Sequence, residues 1–401
     1  MRILLLNQFY PPDVAATGQL LDDLARGLAQ RGHEVNVICS RGSYDGGSRK
    51  YLRYRQTNGV GVHRVNALSF GRANKMGRLA DYLSFYVLAL LKAIRFPRAD
   101  ICISLTTPPF IGLIAVLLKR LRGTRFVLWV MDVYPEVAVA YGVIRKRGLL
   151  NRLCTGLSRL LYSRAAVIIS LGQVMAERLV EAGAKREKII TAHNWAVGEQ
   201  YPREQMSAQL RQRWNLNGEV TLMYSGNLGL GHDLETVVKA VSSLETREKL
   251  RLLIIGNGKG RAPLERLSKE LELRCVEFHE PVPMEALGQM LAVGDIHIVT
   301  QKEGTEGLIV PSKLYGILAA GRAVLFVGPE HCEAAQILAD SGAGLIAPCG
   351  DIATAAREIK KLLSDEQMRI EMGKRARKFY ETQLGLDRSV SQICKAVESA
   401  P

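Results

Sequence analysis

Short aliphatic runs and amphipathic stretches alternate from one end of the chain to the other. In the first half, apolar runs predict strands at 2–6, 34–39, 61–65, 100–105, 125–130, 166–170 and 188–191. Between most of them lie helical patterns such as 20–30, where Leu21, Leu24, Ala25 and Leu28 share one face. The alternation pauses after His193-Asn194-Trp195, across a polar stretch ending at Tyr201-Pro202. It resumes with strands at 220–225, 250–255, 275–278, 295–300, 323–327 and 344–346, each followed by a helical segment. Alternation of this kind buries a parallel sheet under helices on both faces. Two such series predict two doubly wound α/β domains, 1–198 and 199–378, because single sheets rarely exceed about ten strands. Ligands of such folds sit beyond the carboxyl ends of the strands, so the expected site is a cleft between the domains.

The 401 residues are 47% apolar and 23% charged, enough for full cores and a soluble surface, which excludes disorder and low complexity. Seven scattered cysteines, never in a CxxC pair, argue against a disulfide framework or structural zinc and fit a reducing cytoplasm. The opening MRILLLNQFYPP is too short and too polar for a signal peptide and reads as a strand. The uncharged stretch 101–118 approaches the roughly 20 residues of a membrane-spanning helix. Thr106-Thr107-Pro108-Pro109 divides it into a strand and a helix start, so a soluble or peripheral chain is expected.

Charge changes the picture. Residues 1–200 hold 29 Lys and Arg against 13 Asp and Glu, so nearly the whole net charge of +15 sits in the first half. Three segments concentrate it: 74–98, with an uncharged run at 82–91 between cations; 110–123, ending in Lys119, Arg120 and Arg122; and 145–164, with six cations and no acid. Basic, aromatic-edged amphipathic helices suit an anionic interface, so the expectation is a cytoplasmic protein peripheral on the inner face of the cell membrane. Nucleic acid is not expected as a partner, because no recognition motif or stacking platform accompanies the cations.

The strongest local signal is EGLIVPSKLYGILAAGRAVL at 306–325. Pro311 fixes φ ahead of Ser312, a good N-cap, and Gly321 suits the helix end. Free amides at such a helix start bind phosphate, and Lys313 adds a positive charge, so a diphosphate cradle is expected. In SGNLGLGHDLETVVKA (225–240), Gly226, Gly229 and Gly231 let a phosphate or sugar approach the backbone, with Asn227 and His232 as donors. His232 reads equally well as a surface residue at a helix start near Asp233. IIGNGKG (254–260) is half a dinucleotide fingerprint and reads mainly as turn chemistry near a nucleotide.

In NQFYPPDVAATG (7–18), small residues Ala15, Ala16, Thr17 and Gly18 permit close approach of a ligand to the positive end of a helix. In WVMDVYPE (129–136), Asp132 and Glu136 are strand-end carboxylates fit for acid–base work or orienting a hydroxyl. Capping of the next helix is an equal reading for Glu136. No D-x-D triplet, HExxH or His/Cys cluster suggests a metal, and no GxSxG elbow suggests a hydrolase.

Together, NQFYPPDVAATGQLLDDLA, WVMDVYPEVAVA, MYSGNLGLGHDLETVVKA and VPSKLYGILAAGRAV resemble glycosyltransferase family 4, in particular bacterial members that build O-antigen, capsule and exopolysaccharide. The match runs nearly the whole chain in order. The resemblance implies the GT-B fold, two Rossmann-like domains around a cleft, with final helices near 379–399 packing back on the first domain. It implies a nucleoside-diphosphate sugar, UDP-linked by expectation, held by the second domain, no cofactor and no metal, and transfer with retention to a polyprenyl-diphosphate-linked or glycan acceptor. Gly226, Asn227, His232, Gly256, Val282, Gly307, Leu308, Ser312 and Lys313 would contact the donor. Thr17, Gly18, Tyr134 and Glu136 would contact the acceptor, and Asp132, Lys313 and Glu306 would carry catalysis. The chain departs from the family at several positions. Asn227 and His232 stand where the family has its Arg/Lys pair, which shifts the cationic load to Lys313. Gly316 stands where the second of two glutamates would meet the ribose, leaving Glu306 as the contact to the sugar. Ala15-Ala16 replaces two glycines, and Met131 stands where many relatives have histidine. A nucleotide-sugar 2-epimerase of the same fold and a non-catalytic membrane-binding scaffold are the alternatives.

Overall fold

A computed structural model of the chain describes residues 1–42, 51–70, 75–198, 204–216, 218–229, 231–245 and 249–401. Contacts divide it into two units, Met1–Asn194 with Gly307–Ile309 and Leu386–Pro401, and Trp195–Glu306 with Val310–Gly385.

The first unit runs β1 (Arg2–Leu6), α1 (Ala16–Gln30), β2 (Glu34–Ser40), β3 (Tyr54–Thr57), β4 (Val60–Val65), α2 (Lys75–Arg95) and β5 (Ile101–Ser104). It continues through α3 (Leu113–Arg122), β6 (Arg125–Trp129), α4 (Glu136–Ala140), α5 (Leu149–Arg164), β7 (Val167–Ser170), α6 (Gln173–Glu181) and β8 (Ile189–Thr191). The second runs α7 (Glu204–Arg213), β9 (Val220–Ser225), α8 (Leu234–Ser242), β10 (Leu250–Ile255), α9 (Arg261–Glu270), β11 (Val276–His279) and α10 (Leu287–Val293). There follow β12 (Ile296–Thr300), α11 (Lys313–Ala319), β13 (Ala323–Val327), α12 (Glu333–Ser341), β14 (Gly344–Ala347), α13 (Ile352–Ser364) and α14 (Glu366–Phe379). The last helix, α15 (Leu386–Glu398), belongs to the first unit.

The first sheet has the order β3-β4-β2-β1-β5-β6-β7-β8, parallel except for the β3–β4 hairpin at its edge. The second has the order β11-β10-β9-β12-β13-β14 and is parallel throughout. The order in which strands are added reverses between β1 and β5 in one unit and between β9 and β12 in the other, while the strands themselves stay parallel. Doubly wound sheets bind ligands at such switch points, beyond the strand ends. The central strands bury nearly every side chain, as Ile3–Leu6, Ile101–Ile103 and Leu252–Ile255 do, because helices cover both faces.

The structure adds β3, absent from the sequence expectation, and shifts the 275–278 strand by one residue to Val276–His279. The helical region expected at 379–399 is interrupted: a π-helical turn spans Tyr380–Leu384 and Gly385 is extended before α15. No described helix is long and apolar enough to cross a membrane.

Candidate active site

At the β9–β12 switch point, β9 ends at Ser225 and the backbone turns into Gly226 at φ 137°. A side chain at Gly256, which follows β10, would place its Cβ 2.0 Å from the Gly226 carbonyl oxygen. The glycines of IIGNGKG therefore serve loop-on-loop packing, as the turn reading held, and fix the height at which the Gly226 loop stands. The Tyr224 hydroxyl, below it, donates to the Asn227 carbonyl at 2.9 Å.

Lys313 opens α11 and reaches toward this loop. Its Nζ lies 3.5 Å from the centroid of the Tyr224 ring and 3.3 Å from where a Cβ on Gly226 would stand. The ammonium is buried and has no hydrogen-bond partner, and burial holds its pKa well below the ordinary lysine value. A ring face under a cation is attractive, but it satisfies none of the three N–H donors. Ser312 occupies the N-cap of α11, yet its hydroxyl makes no capping bond, contrary to the role its residue type suggested.

His232 is neither a free ligand donor nor a loose surface residue. Its Nδ1 donates to the Thr300 carbonyl at 3.1 Å, and its ring packs edge-on against Tyr224 at 5.7 Å. Burial first, and the neighbouring Lys313 second, push its pKa down to about 3, so it is neutral. Asp233 caps α8 by accepting the Thr236 amide at 3.2 Å. Glu306 accepts the Gly304 amide at 3.0 Å through Oε1, within its own loop. Buried Gln301 braces that loop by donating to the Thr305 carbonyl at 3.0 Å. Asn227 is exposed, and Val282, in the segment after β11, is half-buried. A cavity of about 530 Å³ is lined by Gly229 and His232, but also by Asp233, Glu235 and Glu303 against Lys302. Three carboxylates facing one ammonium repel a diphosphate; the Lys313 side attracts one.

In the first unit, Asp132 and Met131 follow β6, and the Thr106 hydroxyl oxygen, just beyond β5, accepts both of their amides at 3.1 Å. Burial pushes the Asp132 carboxyl up to about 6, and its proximity contributes to raising Tyr141 to about 12. Tyr134 packs its ring on Phe110 with centroids 6.4 Å apart, and its carbonyl accepts the Ser158 hydroxyl. Glu136 is the first residue of α4, after Pro135 at the N-cap, and its carboxyl meets its own backbone amide. Its Oε2 is buried with no hydrogen-bond partner; burial raises its pKa, while Arg159 and Arg178 pull the other way. Thr17 and Gly18 lie in the first turn of α1. A Cβ on Gly18 would sit 3.0 Å from the Phe9 backbone, so its smallness serves the β1–α1 turn rather than an approaching ligand. Gly307 and Leu308 group with this unit, where the Leu308 carbonyl accepts the Val133 amide at 2.9 Å.

Several residues escaped the sequence reading. Asn7 and Gln8, directly after β1, are buried with Asn7 Oδ1 and Gln8 Oε1 unpartnered, polar atoms at a strand end where a ligand's donors would be welcome. Tyr224 and Thr300, which fix Lys313 and His232, sit inside strands where only their polarity or ring could have flagged them.

The glycosyl transferase 4-like domain family matches residues 17–195, and the glycosyl transferases group 1 family matches 206–379. The chain belongs to the family 4-like glycosyltransferases. Its paired parallel sheets are the GT-B fold. Among relatives, "Putative colanic acid biosynthesis glycosyl transferase WcaI" of Escherichia coli K12 is 28% identical over 349 residues, covering 84% of this glycosyltransferase and 86% of the relative. "Probable glycosyltransferase WbjE" of Pseudomonas aeruginosa is 28% identical over 300 residues, 73% of this chain and 74% of that one. Among solved structures, Anabaena Alr3699/HepE in complex with UDP and glucose superposes with a TM-score of 0.76 at 15% identity, covering 100% of both chains.

Proposed function

We propose that this glycosyltransferase moves a sugar from UDP to a lipid-linked or glycan acceptor in cell-surface polysaccharide synthesis, with retention at the anomeric carbon and without a metal ion. The carrying observation is Lys313: a buried side-chain nitrogen with no hydrogen-bond partner, packed against Gly226 at the end of β9. A buried cation without an anion is costly, and a diphosphate is the anion whose arrival removes that cost. The Gly226 loop lets the phosphates approach, and Lys313 stabilises the charge that grows on them as the sugar leaves. The Anabaena protein of like fold binds UDP, and the colanic acid relative makes an extracellular polysaccharide the fitting product class. The resemblance to the family supports retention. Asp132, half-ionised near pH 6, is suited to orient the acceptor hydroxyl and accept its proton. An acceptor built on a lipid places the work at an anionic membrane surface.

Calorimetry of the full chain with UDP in the presence of EDTA, followed by assays of UDP-sugars with and without lipid-linked acceptors, tests the reading. Expected are UDP binding that survives EDTA and sugar release that requires an acceptor. Conversion of the donor alone would mark an epimerase, and loss of turnover with EDTA would remove the metal-free mechanism.

A further inference from the structure

Helix α2 is apolar nearly all round, but only one side of it faces the sheet. Phe85, Ala89 and Ala93 are fully buried, while Leu79, Leu83, Val87 and Leu91 are 52%, 56%, 57% and 42% exposed. Their spacing of four residues places them on one outward stripe. Helix α5 repeats the arrangement: Leu149 and Leu153 are 83% and 60% exposed, while Cys154, Leu161 and Tyr162 face inward. Helix α3 packs against both α2 and α5. Singly exposed leucines are ordinary; exposed apolar rows on two helices that flank the same third helix mark a partner.

Charge says which partner. The segments 82–98, 110–122 and 141–164, which include most of α2 and all of α3 and α5, contain no Asp or Glu. Arg95, Lys119, Arg120, Arg147, Arg152 and Arg164 are exposed there. A second copy of the chain would bring the same cations face to face, which repels. An anionic bilayer accepts both components: leucines enter the acyl boundary while the cations stay at the headgroups.

We infer that the outward faces of α2 and α5 seat this chain on an anionic lipid bilayer, with the leucine rows inserted and the basic turns around them bound to lipid phosphates. The inference rests on the proposed lipid-linked acceptor for its purpose, and adds the surface that brings the enzyme to it. The arrangement needs both components at once, since an apolar row alone would not distinguish lipid charge and cations alone would be fully released by salt.

The experiment is flotation of the full chain with phosphatidylcholine vesicles, with and without phosphatidylglycerol, at low and high salt. Binding is expected only with phosphatidylglycerol and reduced in salt. L83Q/V87Q is expected to weaken it about tenfold or more, since each buried side chain of this size is worth at least that factor. R147E/R152E is expected to remove the preference for anionic lipid. Both pairs are solvent-exposed, and unchanged thermal unfolding and unchanged UDP affinity confirm the fold. Equal binding to neutral vesicles, full binding by L83Q/V87Q, or wild-type dimerisation that L83Q/V87Q abolishes would overturn the inference. Absence of UDP binding in the wild type, with vesicle binding intact, would instead remove the donor reading.

Discussion

A lysine drawn out of water without an anion is stabilised by shedding its proton, and Lys313 is in that position, with neutral His232 and the Tyr224 ring about it. A diphosphate arriving beside it reverses the balance, so binding takes up as much as one proton. UDP titrations in buffers of different ionisation enthalpy are expected to show that uptake, with affinity falling as pH rises; Lys313→Ala loses the uptake and about 100-fold in turnover. Asp132 runs with the opposite sign. Its carboxyl is pushed up to about 6 in the fold against an ordinary value of 3.8, so the folded state binds the proton more tightly. Stability of the first unit then falls as pH rises from about 4 to about 6 and is level above that. Asp132→Asn removes the cost: chemical denaturation is expected to show it more stable than wild type by up to ~3 kcal/mol at pH 7.5 and nearly equal to it at about pH 3.5, while turnover drops.

Between elements, the constraint is backbone against backbone. Gly256 has φ 142° and packs against Gly226 so closely that any Cβ must move one loop. Gly256→Ala is expected to cost ~3 kcal/mol in the second unit and to weaken UDP binding measured by calorimetry, because the Gly226 loop shifts with it. The period of apolar residues made most strands legible, since fully buried parallel strands are nearly continuous aliphatic runs. It missed Tyr54–Thr57, an edge strand whose side chains are polar and mostly exposed. The Asn58-Gly59 pair, both at positive φ, is a two-residue hairpin signal that would have found it. In the site, Lys313 was legible from its place after Pro311-Ser312. Its position over Tyr224 was not, because which strand residue lies under a helix start depends on packing across β9 and β12. Gly307 and Leu308 could not be separated from Ser312 by sequence, being on one short loop whose residues group with different units.

Across the whole molecule, the chain returns to its first unit to finish it. Val390, Ile393, Cys394 and Val397 of α15 are buried, and Gly27 of α1 leaves room for Val390, whose Cγ1 would stand 2.4 Å from a Cβ there. Glu398 pairs with Arg31 at 3.1 Å and His33 at 3.0 Å, and the Ala400 carbonyl accepts from Arg125 at 2.7 Å. The partly exposed ion pairs contribute little. The four apolar side chains contribute about 1.5 kcal/mol or more each, together on the scale of a domain's whole stability. A chain ending at Gly385 is therefore expected to lose the cooperative unfolding of residues 1–194, seen as rapid proteolysis of that part and a lost thermal transition. Gly27→Val, which keeps every residue of α15 but denies Val390 its seat, is expected to lower the same transition by several degrees. Because the basic surface of α2, α3 and α5 belongs to this unit, the truncated chain should lose vesicle binding while Gly27→Val keeps it below its lowered transition. That contrast separates a helix that merely completes the core from one that itself meets the membrane.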